Sequence, residues 1–221
     1  MKLLYGAFVQ PGQLVFDIGA NIGERTAMFR ELGARVVAVD PQPVCVERLR
    51  ARFASDGSVT IVPKAAGRNA GVAEMQTSQA HEISSMSAGW LASVKISGRF
   101  RGHNWDRSEK VEVTTLDALI AEHGRPSFCK VDVEGFESEV LAGLSTAIPA
   151  ISFECTPEYL TNTTSCIERL RAIGNYEFNN NLSGGMNFEL ADWVGADSIL
   201  ASLERIDPGS VADIYARLRT A

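Results

Sequence analysis

The sequence predicts an α/β fold: a doubly wound, mostly parallel sheet covered by helices on both faces, with an antiparallel hairpin near the C-terminus. Three observations carry this reading. Short, near-continuous apolar runs alternate with amphipathic helical segments, the pattern of strands buried on both faces. The chain has 221 residues, 45% hydrophobic and 22% charged, which suits one large domain with a substantial core. Acidic residues recur at the ends of the apolar runs, along the edge where such a sheet binds its ligand.

The elements follow in order. LVF at 14–16 is a first buried strand. Residues 24–32 follow as a helix, with Met28 and Leu32 on one face and Gly33 as its stop signal. RVVAVD, 35–40, is a second strand ending in Asp40. Pro43 opens the next helix at its first position, and Val46, Leu49 and Phe53 recur at core spacing. VTIVP, 59–63, is a third strand. Residues 78–110 fit no regular pattern and read as an insertion overhanging the ligand edge. Thr115 caps a short helix carrying Leu116, Leu119 and Ile120. FCKVDV, 128–133, is a fourth strand, and FESEVLAGL after it a helix with Phe136, Val140 and Leu144 aligned. AISFE, 150–154, is a fifth, followed by a helix with Cys166, Leu170 and Ile173 in register. YEFNNNLSGGMNFEL, 176–190, holds two strand-like pieces around Ser-Gly-Gly, which predicts the hairpin. No repeat or linker divides the chain, so 1–221 reads as a single domain.

Composition excludes several classes. A formal net charge of −6 argues against binding nucleic acid through a positive field. No apolar run is long enough to span a membrane. The opening MKLLYGAFVQPGQ has too short an apolar core for a signal peptide, so a cytoplasmic protein is expected. Cys45, Cys129, Cys155 and Cys166 show no metal-binding or redox spacing and read as reduced structural thiols.

The loop after the first strand narrows the ligand. From Gly19 the chain reads G-A-N-I-G-E, which lacks the third and sixth glycines of a dinucleotide fingerprint. No lysine follows Gly23, so it is no phosphate loop either. What remains is D-x-G-x-N-x-G, with Asp17 two residues before Gly19. A carboxylate there repels a pyrophosphate and suits an ammonium group. Asp40, seventeen residues after Gly23, ends the second strand where it can accept hydrogen bonds from ribose hydroxyls. An amino-acid ammonium and a nucleoside ribose without phosphate describe S-adenosylmethionine.

FDIGANIGERT, VVAVDPQP, PKAAGRNAG, TTLDAL and above all CKVDVEGFESEVLAGL resemble the FkbM family of class I S-adenosylmethionine-dependent methyltransferases, from about Pro11 to Glu154. The resemblance implies a Rossmann-like, seven-stranded sheet whose last strand is antiparallel. It also implies O-methylation of a sugar, glycan or secondary metabolite. Carried onto matching positions, Asp17, Gly19, Ala20, Asn21 and Gly23 line the methionine part of the cofactor. Asp40 with Pro41 holds the ribose, Ala65 and Ala66 lie by the adenine, and Asp132 lies by the methyl group. Many class I enzymes place an acid near the adenine after strand three. Lys64-Ala65-Ala66 stands here, so backbone groups are expected to read the base. Because the chain begins almost at the first strand, any N-terminal substrate-binding extension of larger relatives is expected to be missing.

For an alcohol acceptor the protein must align the hydroxyl and take its proton. Asp132 and Glu134, two apart after the fourth strand, share a face of extended chain, and Glu154 ends the fifth. The competing reading is that one or two of these, Glu134 or Asp132, cap the following helix, whose N-terminus Glu134 and Glu137 flank. Three carboxylates begin a divalent-cation site, but no full ligand set is evident and no metal is expected. The insertion carries His81 and His103, either of which can act as a base near neutral pH. It also carries Arg99, Arg101 and Arg107. It is either a solvated mobile loop or a lid whose arginines bind an anionic acceptor, such as a phosphorylated, nucleotide-linked or uronic sugar. Two functions stay open: a methyltransferase acting on a small molecule or glycan, and a non-catalytic cofactor-binding partner in a biosynthetic complex.

Overall fold

A computed structural model describes residues 2–182, 185–207 and 209–219. After a short helix α1 (Lys2–Gly6) come β1 (Leu14–Ile18), α2 (Glu24–Glu31), β2 (Arg35–Val39), α3 (Pro43–Arg52) and β3 (Val59–Val62). Then follow β4 (Ala65–Ala66), β5 (Gly71–Thr77), α4 (Ala88–Ser97), β6 (Arg107–Thr114), α5 (Leu116–His123) and β7 (Phe128–Val131). The remaining elements are α6 (Glu137–Ala142), β8 (Ala150–Cys155), α7 (Leu160–Ile173), β9 (Tyr176–Leu182), α8 (Ala196–Leu203) and β10 (Ala212–Leu218).

Seven strands form one sheet in the order β3-β2-β1-β7-β8-β10-β9. All are parallel except β10, which runs antiparallel to both neighbours. The fold class, the seven strands and the antiparallel last strand are as expected. The chain winds outward from β1 to β3 and then returns to β7 on the other side of β1, so strand order reverses between β1 and β7. Local chemistry explains the helix boundaries. Pro43 occupies the first turn of α3, and the Thr115 hydroxyl accepts the Ala118 amide at 3.0 Å to cap α5.

Alternation along the strands splits the core. Phe16, Ile18, Cys129, Val131, Ile151 and Phe153 pack on one face under α5, α6 and α7. Val15, Phe128, Ala150 and Tyr215 face the other way, against Phe29 and Tyr5. Two residues further toward the carboxyl ends, this second face turns polar: Asp17, Lys130 and Ser152 lie side by side across β1, β7 and β8. All four cysteines are buried free thiols.

Two parts differ from the sequence reading. The antiparallel pair is formed by β9 and β10, not by two pieces within 176–190. Residues 176–182 supply one strand, and the partner lies beyond α8. Ser183 and Gly184, at the expected turn, lie outside the described residues. Pairing is decided by the continuous apolar run of Ile214, Tyr215 and Ala216, buried on both faces of the sheet. The insertion is also more regular than its composition suggests. Its centre is α4, which Ser87 caps by accepting the Trp90 amide at 3.1 Å. Its flanks, β5 and β6, join β4 in a second, three-stranded sheet. Trp90 is 1% exposed and packs among Ile83, Leu91, Val94, Phe100 and Trp105. The helix escapes a periodicity search because both Gly89 and Ser97 dilute it.

Candidate active site

The loop after β1 crosses the start of the loop after β7 at the switch point. The Gly19 and Ala20 amides donate to the Val39 carbonyl at 2.9 and 3.0 Å, and the Asp132 amide to Ile18 at 3.0 Å. Gly19 has φ +77°, and a Cβ there would lie 1.8 Å from the Asp132 carbonyl oxygen. Only glycine satisfies both the backbone and the crossing. Gly23, at φ +86°, would drive a Cβ to 2.7 Å from Phe53. Asn21 adopts φ 52°, with its side-chain oxygen accepting the Ile22 amide at 2.7 Å.

Asp40 stands just past β2 and is 3% exposed. One carboxylate oxygen accepts the Asn21 amide and the other the Gln42 amide, both at 2.9 Å. Burial pushes its carboxyl up to about 6 against those two hydrogen bonds. A pocket runs from Asp40 along Gly19, Asn21, Ala65 and Ala66 to Asp132 and Glu134.

The far end is acidic. Lys130 donates to Asp132 at 2.9 Å and lies 3.8 Å from Asp17. Asp17 is fully buried beneath the loop, where its other oxygen accepts the Thr26 hydroxyl at 2.6 Å. Burial raises its carboxyl, opposed by Lys130 and then by Thr26. Burial works against the Lys130 charge, yet Asp132 and Asp17 outweigh it and hold the ammonium up at about 12. Asp132, Glu134 and Glu154 bring carboxylate oxygens within 4.8 Å of one another. Burial, and next the Asp132 charge, raise Glu134 well above the usual carboxylate range. Burial and Glu134 do the same to Glu154. Glu134 is held with φ 54°, a left-handed backbone that costs a non-glycine residue.

Neither glutamate caps α6: Glu137, in its first turn, instead ties down the loop before the helix. Its one oxygen accepts the Val133 and Gly135 amides at 3.0 and 3.2 Å, and the other accepts the Asn162 amide at 2.6 Å. Glu134 lines the pocket. Gly135, at φ +83°, would place a Cβ 2.2 Å from that of Trp90, so the insertion packs directly on the acidic loop. The Ser85 hydroxyl seals the contact, donating to the Glu134 carbonyl at 2.6 Å.

Residues 17–179 match the family model of the FkbM methyltransferase domain. The chain belongs to the FkbM methyltransferase family. Over 168 residues it is 31% identical to the 31-O-demethyl-FK506 methyltransferase FkbM of Streptomyces tacrolimicus, covering 66% of this chain and 64% of that one. Over 143 residues it is 29% identical to the hexuronic acid methyltransferase AglP of Haloferax volcanii, covering 63% of this chain and 53% of that one. The matches therefore span less than two-thirds of either relative. The fold is shared with a precorrin-6Y C5,15-methyltransferase of Geobacter metallireducens (TM-score 0.52, 12% identity, covering 98% of this chain and 85% of that one).

Within this FkbM domain the pocket gathers Gly19, Asn21, Asp40, Pro41, Ala65, Ala66, Asp132 and Glu134. Asp17 is withdrawn from its wall. His81 is on the wall beside Gln42, whose side chain donates to the His81 carbonyl at 3.0 Å. His103 lies apart, exposed and edge-on to Phe100. Arg99 does not face an open acceptor site: it grips both oxygens of Glu158, at 2.5 and 2.8 Å, and tethers the insertion to the start of α7. Arg101 and Arg107 are exposed, and Arg107 lies by a groove with Arg48 and Glu109. Sequence reasoning passed over Lys130, although a lone lysine between Cys129 and Val131 was a visible signal. It also passed over Asp213, which registers beside Glu154 across β8 and β10 and whose carboxyl burial lifts to about 6. Met75, Ser84 and Met86 line the pocket as well, and gave no signal without the fold. Among the described residues, no helix is long and apolar enough to cross a membrane.

Proposed function

We propose that this FkbM-family protein is an S-adenosylmethionine-dependent O-methyltransferase acting on a neutral hydroxyl of a sugar, glycan or secondary metabolite. The observation that carries this reading is a single pocket with Asp40 at one end and a carboxylate cluster at the other. The residues present fit that cofactor. Asp40, Glu82 and Asp132 outnumber Lys64 on the pocket wall, a charge balance that suits a sulfonium and an ammonium and opposes a pyrophosphate. Each Asp40 oxygen accepts one backbone amide and keeps lone-pair capacity for a ribose hydroxyl. Gly19 and Asn21 would hold the amino-acid end, Asp40 and Pro41 the ribose, and Ala65 and Ala66 the base. When bound, S-adenosylmethionine supplies an electrophilic methyl group.

Asp132, held by Lys130, then orients the acceptor hydroxyl and receives its proton. Burial and a neighbouring acid, Asp132 for Glu134 and Glu134 for Glu154, favour the protonated carboxyls, a form that can donate to other acceptor oxygens. A neutral acceptor is favoured because Arg99 is engaged by Glu158 and this end of the pocket is lined by acids. A partner without catalysis would have no use for so costly a cluster. The relatives' names specify a 31-O-demethyl compound and a hexuronic acid, both with oxygen to methylate.

Calorimetry tests the cofactor. S-adenosylhomocysteine is expected to bind at about micromolar Kd. Asp40→Ala should weaken it by about 1–3 kcal/mol. Affinity should also fall as pH drops through about 6, where Asp40 takes up a proton. Absence of binding to the wild type, or a preference for NAD, sinks the reading. Asp132→Asn, assayed with labelled S-adenosylmethionine on a panel of neutral sugars and polyols, should cut turnover about 100-fold or more while keeping cofactor affinity. Unchanged turnover would remove Asp132 from the chemistry.

A further inference from the structure

Among the described residues, Lys130 is the only lysine or arginine that is buried. Its strand neighbours Cys129 and Val131 are apolar, as a central strand requires. A buried ion pair is often no more stable than well-packed apolar residues of the same volume, so stability alone does not explain a lysine here. Its ammonium bridges an acid sealed beneath the loop, Asp17, and an acid on the pocket wall, Asp132. Arg25, Glu134 and Asp213 act on the same few ångströms from α2, the loop after β7, and β10. Lys130 is the cation embedded among these carboxylates.

We propose that Lys130 is a positioning residue for methyl transfer: it fixes Asp132 on the pocket wall and limits negative charge there, so that the pocket does not overbind a sulfonium. This rests on the S-adenosylmethionine reading. The acceptor oxygen's lone pair forms the new C–O bond while the C–S pair stays on sulfur, leaving a neutral thioether, and the hydroxyl proton passes to a carboxylate. Positive charge leaves sulfur as the reaction proceeds. Attraction that is strongest before transfer therefore slows it, because only interactions stronger in the transition state accelerate. A cluster of carboxylates without its ammonium would be such an attraction.

The readout is the ratio of calorimetric affinities for S-adenosylmethionine and S-adenosylhomocysteine, ligands that differ by the sulfonium charge. Lys130→Met should shift this ratio toward S-adenosylmethionine by about tenfold at pH 8, the size expected of one charge acting across several ångströms of partly screened protein. Lys130→Arg keeps the charge and should hold the ratio near wild type. Should Lys130→Met fail to fold, Asp17→Asn serves. It preserves shape, leaves the ammonium with one acid fewer, and should move the ratio the opposite way. A merely structural lysine would weaken both ligands by the same factor, and a constant ratio across these variants overturns the proposal. If the wild type binds neither ligand, the cofactor reading itself falls; if it binds both and the ratio stays fixed, only this proposal does.

Discussion

Lys130→Met should lower the free energy of unfolding by about 3–5 kcal/mol, the cost of stranding a buried charge by deleting its partner. The deficit should depend on pH, and its sign follows from Asp17. Burial raises that carboxyl, opposed first by Lys130. A carboxyl raised on folding contributes stability below its unfolded value and loses it as pH rises through the folded one. Without the ammonium the rise is greater, so the variant should fall furthest behind the wild type at pH 8 and least near pH 5. Asp17→Asn combined with Lys130→Met should recover much of the loss, since no unpaired anion remains beneath the loop. Urea denaturation at the two pH values decides this. A deficit independent of pH would mean that lost packing, and not charge, is what the lysine supplies.

Gly19→Ala should be the most damaging change of a single methyl group. Left-handed backbone and a collision with a main-chain carbonyl each cost about 1–3 kcal/mol, and here they act together. Gly12 provides the control. It has φ +82°, but a Cβ there meets nothing within 4 Å. Gly12→Ala should therefore lose only the conformational part. Gly19→Ala should lose both and also spoil S-adenosylhomocysteine binding, because the loop can relieve the clash only by moving away from Asp132. Equal losses in the two variants would show that the crossing is soft.

Much of the parallel half was legible because its strands are short, apolar and bounded by turn residues. The run from Asp17 to Gly23, and Asp40 after it, could be read from spacing alone. Side-chain direction could not. Asp17 was expected beside the ligand, but it falls within β1 on the face that turns inward under the loop. Arg99 was expected to meet an acceptor, and Glu158, 59 positions away in sequence, claims it instead. Such long-range pairs leave no local periodicity. Lys130 is the converse case: its residue type was anomalous in plain view, and only the register of β7 against β1 gave the anomaly a partner. The position of the last strand was misplaced because a whole helix separates it from β9.

The contact between Gly135 and Trp90 bears on how this domain can diverge. With so little room between indole and main chain, neither the signature loop nor the inserted helix can be exchanged alone between homologues. A chimera that takes one without the other inherits either a void or a clash. Recombination at this seam must carry both segments as one heritable block, and new acceptor preferences then have to arise elsewhere on the rim.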